Sequence, residues 1–227
     1  MTKKFLALLI AANLCVGSQF AGAADPAHPD QPIVPLTEAI SRLKDGNARY
    51  TNGKQQHPRQ ATKERAKLTK SQHPFAIVIG CADSRVPPEI VFDQGLGDLF
   101  VLRVAGNVID NHSLGSIEYA VDHLAVRLIV VLGHQSCGAV KAAIDTIAAK
   151  SEAPAHIQSL VTAIQPAVEA TVNRDLETTV KANVNDVVQA VRSSTPVLKP
   201  KVDSGELRVL GAYYSLDTGV VSFLDEK

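Results

Sequence analysis

The residues best equipped for chemistry stand in two short clusters, Cys81-Ala-Asp83-Ser84-Arg85 and His134-Gln-Ser-Cys137-Gly138. Two thiols, an imidazole and a carboxylate form a donor set that suits zinc. Each cluster follows an apolar run ending in glycine, Phe75-Ala-Ile-Val-Ile-Gly80 before the first and Leu128-Ile-Val-Val-Leu-Gly133 before the second. Runs this short, and this rich in β-branched residues, read as buried parallel strands. The ligands then sit at the carboxyl ends of two strands, where open α/β sheets hold their sites. Asp83 and Arg85 are two positions apart, so both can leave one loop and pair through a bidentate hydrogen bond.

Other elements must hold these two strands side by side. Residues 98–104 read as a further buried strand, and Leu114, Ile117, Val121 and Leu124 form one helical face behind Ser113. Strand, helix and strand in succession predict a parallel sheet. Val140, Ile144 and Ile147 predict a helix whose first turn carries Cys137, with its positive end lowering the thiol pKa. Residues 151–191 are helical in pattern, punctuated by Pro154 and Pro166, and residues 206–211 and 219–224 read as closing strands. Near the start, Leu36, Ile40 and Leu43 mark a helix capped by Thr37 and stopped at Gly46, and a polar helix follows over 62–69. The fold class is therefore α/β, a mostly parallel central β-sheet flanked by helices, with an N-terminal helical arm.

A chain of 227 residues, 45% of them hydrophobic, suffices for one domain with a substantial core. Basic and acidic residues balance at 23 each, which gives no electrostatic case for nucleic acid or an anionic membrane. Lys3 and Lys4, the apolar stretch from Phe5 to Val16, and Ala21-Gly22-Ala23 together read as a secretory signal peptide. The apolar run is shorter than the roughly 20 residues of a membrane span. The expected organisation is a signal peptide over 1–23, a proline-rich extended arm over 24–35 and one catalytic domain over 36–227. The mature chain is expected outside the cytoplasm, most simply in a periplasm, with no membrane attachment after cleavage. Cys15 leaves with the signal, so Cys81 and Cys137 remain. Two cysteines in an exported chain form a disulfide by default. Metal binding is preferred because it accounts for both cysteines, His134 and Asp83 together.

The two clusters resemble the zinc signature of the β-class carbonic anhydrases. Phe92-Asp-Gln94-Gly-Leu-Gly-Asp98, Arg103-Val-Ala-Gly106-Asn107, Gly115-Ser-Ile-Glu118-Tyr119-Ala, Val197-Leu and Gly211-Ala-Tyr213 are similar to that family as well, so the likeness spans roughly residues 36–224. The resemblance implies one Zn2+ per chain held by Cys81, His134 and Cys137, with water or Asp83 in the fourth position. It implies reversible hydration of carbon dioxide to bicarbonate and a proton by zinc-bound hydroxide. Arg85 would hold Asp83 off the metal, and a broken dyad would let Asp83 ligate zinc and shut the site. Gln94, Gly138 and Tyr119 correspond to substrate-binding or pocket-closing positions. The family's cleft lies at a subunit interface, which implies a homodimer or homotetramer. A subgroup of the family builds an inhibitory bicarbonate pocket around a tryptophan. This chain contains no tryptophan, so it is expected to stay open at neutral to alkaline pH.

Two other readings compete. A hydrolase of carbon dioxide analogues such as carbonyl sulfide would share every ligand and differ only at the pocket entrance. A non-catalytic zinc protein would not need the Asp83–Arg85 pair, because a structural site has no exchangeable position. A zinc deaminase needs a Glu beside the His and a C-x-x-C, and neither is present. No histidine is assigned as a proton shuttle, although His112 and His123 flank the expected helix that carries Leu114, Ile117, Val121 and Leu124.

Overall fold

The computed structural model describes residues 33–224 except Val172 and Arg174. The expected signal peptide and most of the extended arm lie outside the described residues. Five strands form one sheet in the order β2-β1-β3-β4-β5. They are β1 (Ala76–Gly80), β2 (Leu99–Arg103), β3 (Leu128–His134), β4 (Arg208–Tyr214) and β5 (Val221–Phe223). The first four run parallel and β5 returns antiparallel along β4. Both β1 and β3 are buried at every position, which is why their sequences run apolar without alternation.

Strand alternation divides the interior into two layers. Ile77, Ile79, Ile129, Val131 and Val209 face one side, where they meet α4 (Asn111–His123), α7 (Leu176–Ser193) and α8 (Leu198–Asp203). Ala76, Val78, Val130, Leu132 and Leu210 face the other, against α1 (Leu36–Thr51) and α3 (Pro88–Val91). A short polar helix, α2 (Thr62–Lys67), buries no residue. Helices α5 (Gly138–Ala148) and α6 (Ile157–Ala170) pack with α7 around a third cluster that includes Cys81 and Cys137.

Several local expectations change. Helix α1 starts after Pro35 rather than at a Thr37 cap, and it runs through Gly46 to Thr51. Gly46 is no stop. A Cβ there would strike the Phe92 carbonyl, so the glycine lets α1 cross the end of α3. Helix α4 is capped by Asp110, whose carboxylate accepts from the Ser113 N–H at 2.8 Å. Pro166 lies inside α6 instead of ending it. The closing strands are real, but the first begins at Arg208 and the second spans only Val221–Phe223.

Candidate metal centre

The sheet order dictates where the two ligand clusters meet. From β1 the chain crosses to β2 on one side, and from β3 it moves to β4 on the other, which makes the β1–β3 boundary a topological switch point. Gly80 pairs with Leu132, so Cys81 leaves its strand beside Gly133 and His134. Ser136 takes a left-handed conformation at φ 56° and turns the chain from β3 into α5. Cys137 is the residue that caps α5, one position earlier than the first turn expected for it. The donor atoms of Cys81, His134 and Cys137 all lie within 4.8 Å of one another, and all three residues are buried. Neither cysteine is in a disulfide.

His134 is fully buried, and its Nε2 has no hydrogen-bond partner. Its Nδ1 lies 2.9 Å from the Gln135 carbonyl, so Nδ1 carries the proton and Nε2 presents a lone pair to the two sulfurs. A buried acceptor left without a partner costs about 1–3 kcal/mol. A cation between the three donors removes that cost, so the residues fit a metal and the chemistry of the set fits zinc.

The sulfurs show the same tension. Cys137 donates to Cys81, and this bond, with help from the backbone N–H groups of Asp83 and Gly106, holds the Cys81 thiol far below its ordinary range. Cys137 moves the opposite way, pushed up by the same sulfur and by burial. The amides of Val140 and Ala139 at the start of α5 pull it down, as the position at the helix end leads one to expect, and the neighbouring sulfur and burial outweigh them. The pair holds one proton that a bound cation would displace.

The loop after Cys81 is fixed by arginines. Arg85 donates from Nε to Asp83 Oδ1 at 2.9 Å and from a terminal nitrogen to Oδ2 at 2.7 Å. This fork holds the Asp83 carboxyl well below the usual carboxylate range. Arg85 also reaches the Ser136 carbonyl at 3.3 Å, which ties the first cluster to the second. Asp83 Oδ2 stands 3.9 Å from His134 Nε2, so the carboxylate borders the donor set. Arg103 clamps the loop from β2, donating from Nε to the Cys81 carbonyl at 2.9 Å and from a terminal nitrogen to the Asp83 carbonyl.

The structure thus gathers Cys81, Asp83, Arg85, His134 and Cys137, with Gly138 directly following at the start of α5. Gln94 and Tyr119 are engaged elsewhere. The Gln94 amide donates to the Phe92 carbonyl at 2.8 Å and the Arg42 carbonyl at 3.3 Å. Tyr119 is 48% exposed on α4 and leans on His123. Sequence reasoning passed over the positioning roles of Arg103 and Gly106. It also missed Gln135, whose side-chain amide is locked by Ser215 and Asp217 in the β4–β5 turn. Arg103 and Gly106 do lie in the Arg103–Asn107 segment noted for its family likeness, and Gly106 is also a lone glycine beyond a strand.

Comparison with known proteins agrees with this geometry. Residues 76–221 match the family profile described as carbonic anhydrase. Carbonic anhydrase 2 of Mycobacterium tuberculosis is 44% identical over 185 residues, covering 80% of this chain and 89% of the relative. A carbonic anhydrase of Mycolicibacterium smegmatis is 44% identical over 187 residues, covering 81% and 90%. Among solved structures, the β-carbonic anhydrase CafA of Aspergillus fumigatus is 28% identical with a TM-score of 0.63, covering 83% of this chain and 90% of that one. A switch-point Cys-His-Cys cluster bordered by a carboxylate, on this fold and with these relatives, is that of a lyase, and the chain belongs to the β-class carbonic anhydrases.

Proposed function

We propose that this chain uses one zinc ion, held by Cys81, His134 and Cys137, to interconvert carbon dioxide and bicarbonate. In this reading Asp83, steered by Arg85, governs the fourth metal position. The observation that carries the proposal is the unpartnered Nε2 of His134, which faces two thiols beside a carboxylate already bound by an arginine. When bound, zinc supplies a Lewis acid that brings the ionisation of water to about pH 7.

The chain's own groups do the rest. The Gln135 carbonyl accepts from Nδ1 of His134, which orients the ring and leaves Nε2 facing the sulfurs, free to ligate. Arg85 keeps Asp83 ionised and engages both of its oxygens, so the carboxylate would stand beside the three donors without joining them as a ligand. From there Asp83 accepts a hydrogen bond from the attacking water and aims its lone pair at the carbon. Arg103 prevents the Cys81–Asp83 loop from drifting.

Gln94 and Tyr119 are proposed to serve a cleft completed by a second copy, as a homodimer or homotetramer would provide. The edge strand β2 supports assembly, because Leu99, Phe100, Val101 and Leu102 are only half buried there. Export to a periplasm is proposed from the N-terminal pattern, and the mass of the chain recovered in a periplasmic extract tests it. For the dyad, the test is stopped-flow carbon dioxide hydration by Arg85→Leu and Asp83→Ala with zinc quantified. Both are expected to retain zinc and to lose about tenfold or more in rate near pH 7.5. Parental rates in both variants would end the dyad reading.

A further inference from the structure

Helix α7 presents a nearly continuous valine face to the sheet, with Val180, Val184, Val187, Val188 and Val191 all buried. Asn183 interrupts that face and is only 2% exposed. An amide buried among valines is unfavourable unless it is hydrogen-bonded. Its partner lies 77 positions away: Asn183 Nδ2 donates to the Gly106 carbonyl at 2.8 Å. The acceptor is a carbonyl, so the nitrogen must face it and the amide orientation follows.

Gly106 sits in a short 3-10 turn, Ala105–Asn107, in the left-handed region at φ 71°. A Cβ there would meet Ile164 Cδ1 at 2.8 Å and Ala139 Cβ at 3.2 Å, so the turn is pressed against α5 and α6. The Gly106 N–H points the other way and donates to Cys81 Sγ at 3.3 Å. Glycine is conformationally loose. With its carbonyl released, the turn could rotate and carry the N–H away from the sulfur.

We infer that Asn183 is a positioning residue for the metal centre: by anchoring the Gly106 carbonyl it aims the Gly106 N–H at the Cys81 sulfur and so tunes the thiolate that binds the metal. The inference rests on the proposed metal role of Cys81. An N–H donated to a metal-bound thiolate withdraws charge from sulfur and shields it from protonation. Partners of this kind change metal affinity or activity by about 10–100-fold when removed.

The test is cobalt substitution in the full chain, comparing the unaltered protein with Asn183→Leu and with Asn183→Ala, which leaves room for a water and covers the case in which the leucine variant does not fold. The thiolate-to-cobalt charge-transfer band is expected to move to longer wavelength in each folded variant. Zinc transfer to a chelator is expected to speed up by about tenfold or more. Asn183→Ser, which keeps a donor, is expected to restore part of both. Folded variants with the parental band would overturn the inference, even if they melt earlier, because a purely structural role lowers stability without touching the sulfur. A missing thiolate band in the unaltered protein would instead refute the metal reading, and the inference with it.

Discussion

Replacing Gly133 with alanine tests how tightly the strand that carries His134 is pressed by α7. A Cβ on Gly133 would lie 2.5 Å from Val184 Cγ2 and 2.9 Å from Val180 Cγ1. Carbon atoms in contact sit about 3.5–4 Å apart, so α7 must retreat by about 1 Å. Neither valine can swing aside, because a β-branched side chain has essentially one rotamer in a helix. Retreat is opposed at a second point, where the Val184 side chain also closes on Gly211 of β4. Overpacking of this kind costs about 1–3 kcal/mol, and the absence of a yielding neighbour puts Gly133→Ala at about 3. For a chain of this size that is a fall in Tm of about 6–12 °C. The strand is displaced one residue before His134, so zinc release should also quicken. Thermal unfolding by circular dichroism measures the loss. Val184→Ala in the same chain should recover part of it, giving a favourable coupling of about 1 kcal/mol or more in a double-mutant cycle. A Gly133→Ala protein that melts within about 2 °C of the parent, or no coupling with Val184→Ala, would refute the packing argument.

Three other outcomes follow from particular residues. Gly115 lies inside α4 with nothing within 4 Å of a built Cβ, so Gly115→Ala should raise stability by about 0.5–1 kcal/mol in thermal unfolding. A loss there would mean that a second copy covers this face of α4. Asp175 caps α7, and the Thr178 N–H and hydroxyl hold its carboxyl below the usual range. A depressed folded pKa contributes stability that is present above the unfolded value of about 3.9 and lost as pH falls through the folded value. The Tm advantage of the parent over Asp175→Asn should therefore shrink as pH drops from about 5 toward 2, and a constant difference would exclude the charge. Stripping with a chelator and restoring zinc to 100 times its Kd should stabilise the fold by about 2.7 kcal/mol, read as a rise in Tm that cadmium reproduces and magnesium does not.

Much of the site was legible because it depends on local order. The β1 and β3 runs are buried on both faces, so they advertise themselves as apolar stretches, and the ligands follow each run directly. The Asp83–Arg85 fork was legible for the same reason, since two positions of spacing suffice to form it. What escaped depends on distant partners. Gly46 looks like a helix stop, yet it is explained by the Phe92 carbonyl, far along the chain. Asn183 is an unremarkable helical residue until Gly106 is brought beneath it. The helix amides do lower the Cys137 thiol, but the Cys81 sulfur that outweighs them comes from another strand and leaves no trace in the local sequence. Gln94 matches a motif, but its amide is committed to carbonyls on either side of the α1–α3 crossing.

The most direct measurement of the central claim is carbon dioxide hydration by stopped flow from pH 7 to 9, on protein whose zinc content is determined, beside His134→Gln. One zinc per chain and rapid hydration are expected in the parent, with loss of both in the variant, because the orphaned lone pair on Nε2 of His134 is what a metal would satisfy. Stoichiometric zinc without hydration across that range, or hydration undiminished in His134→Gln, would contradict it.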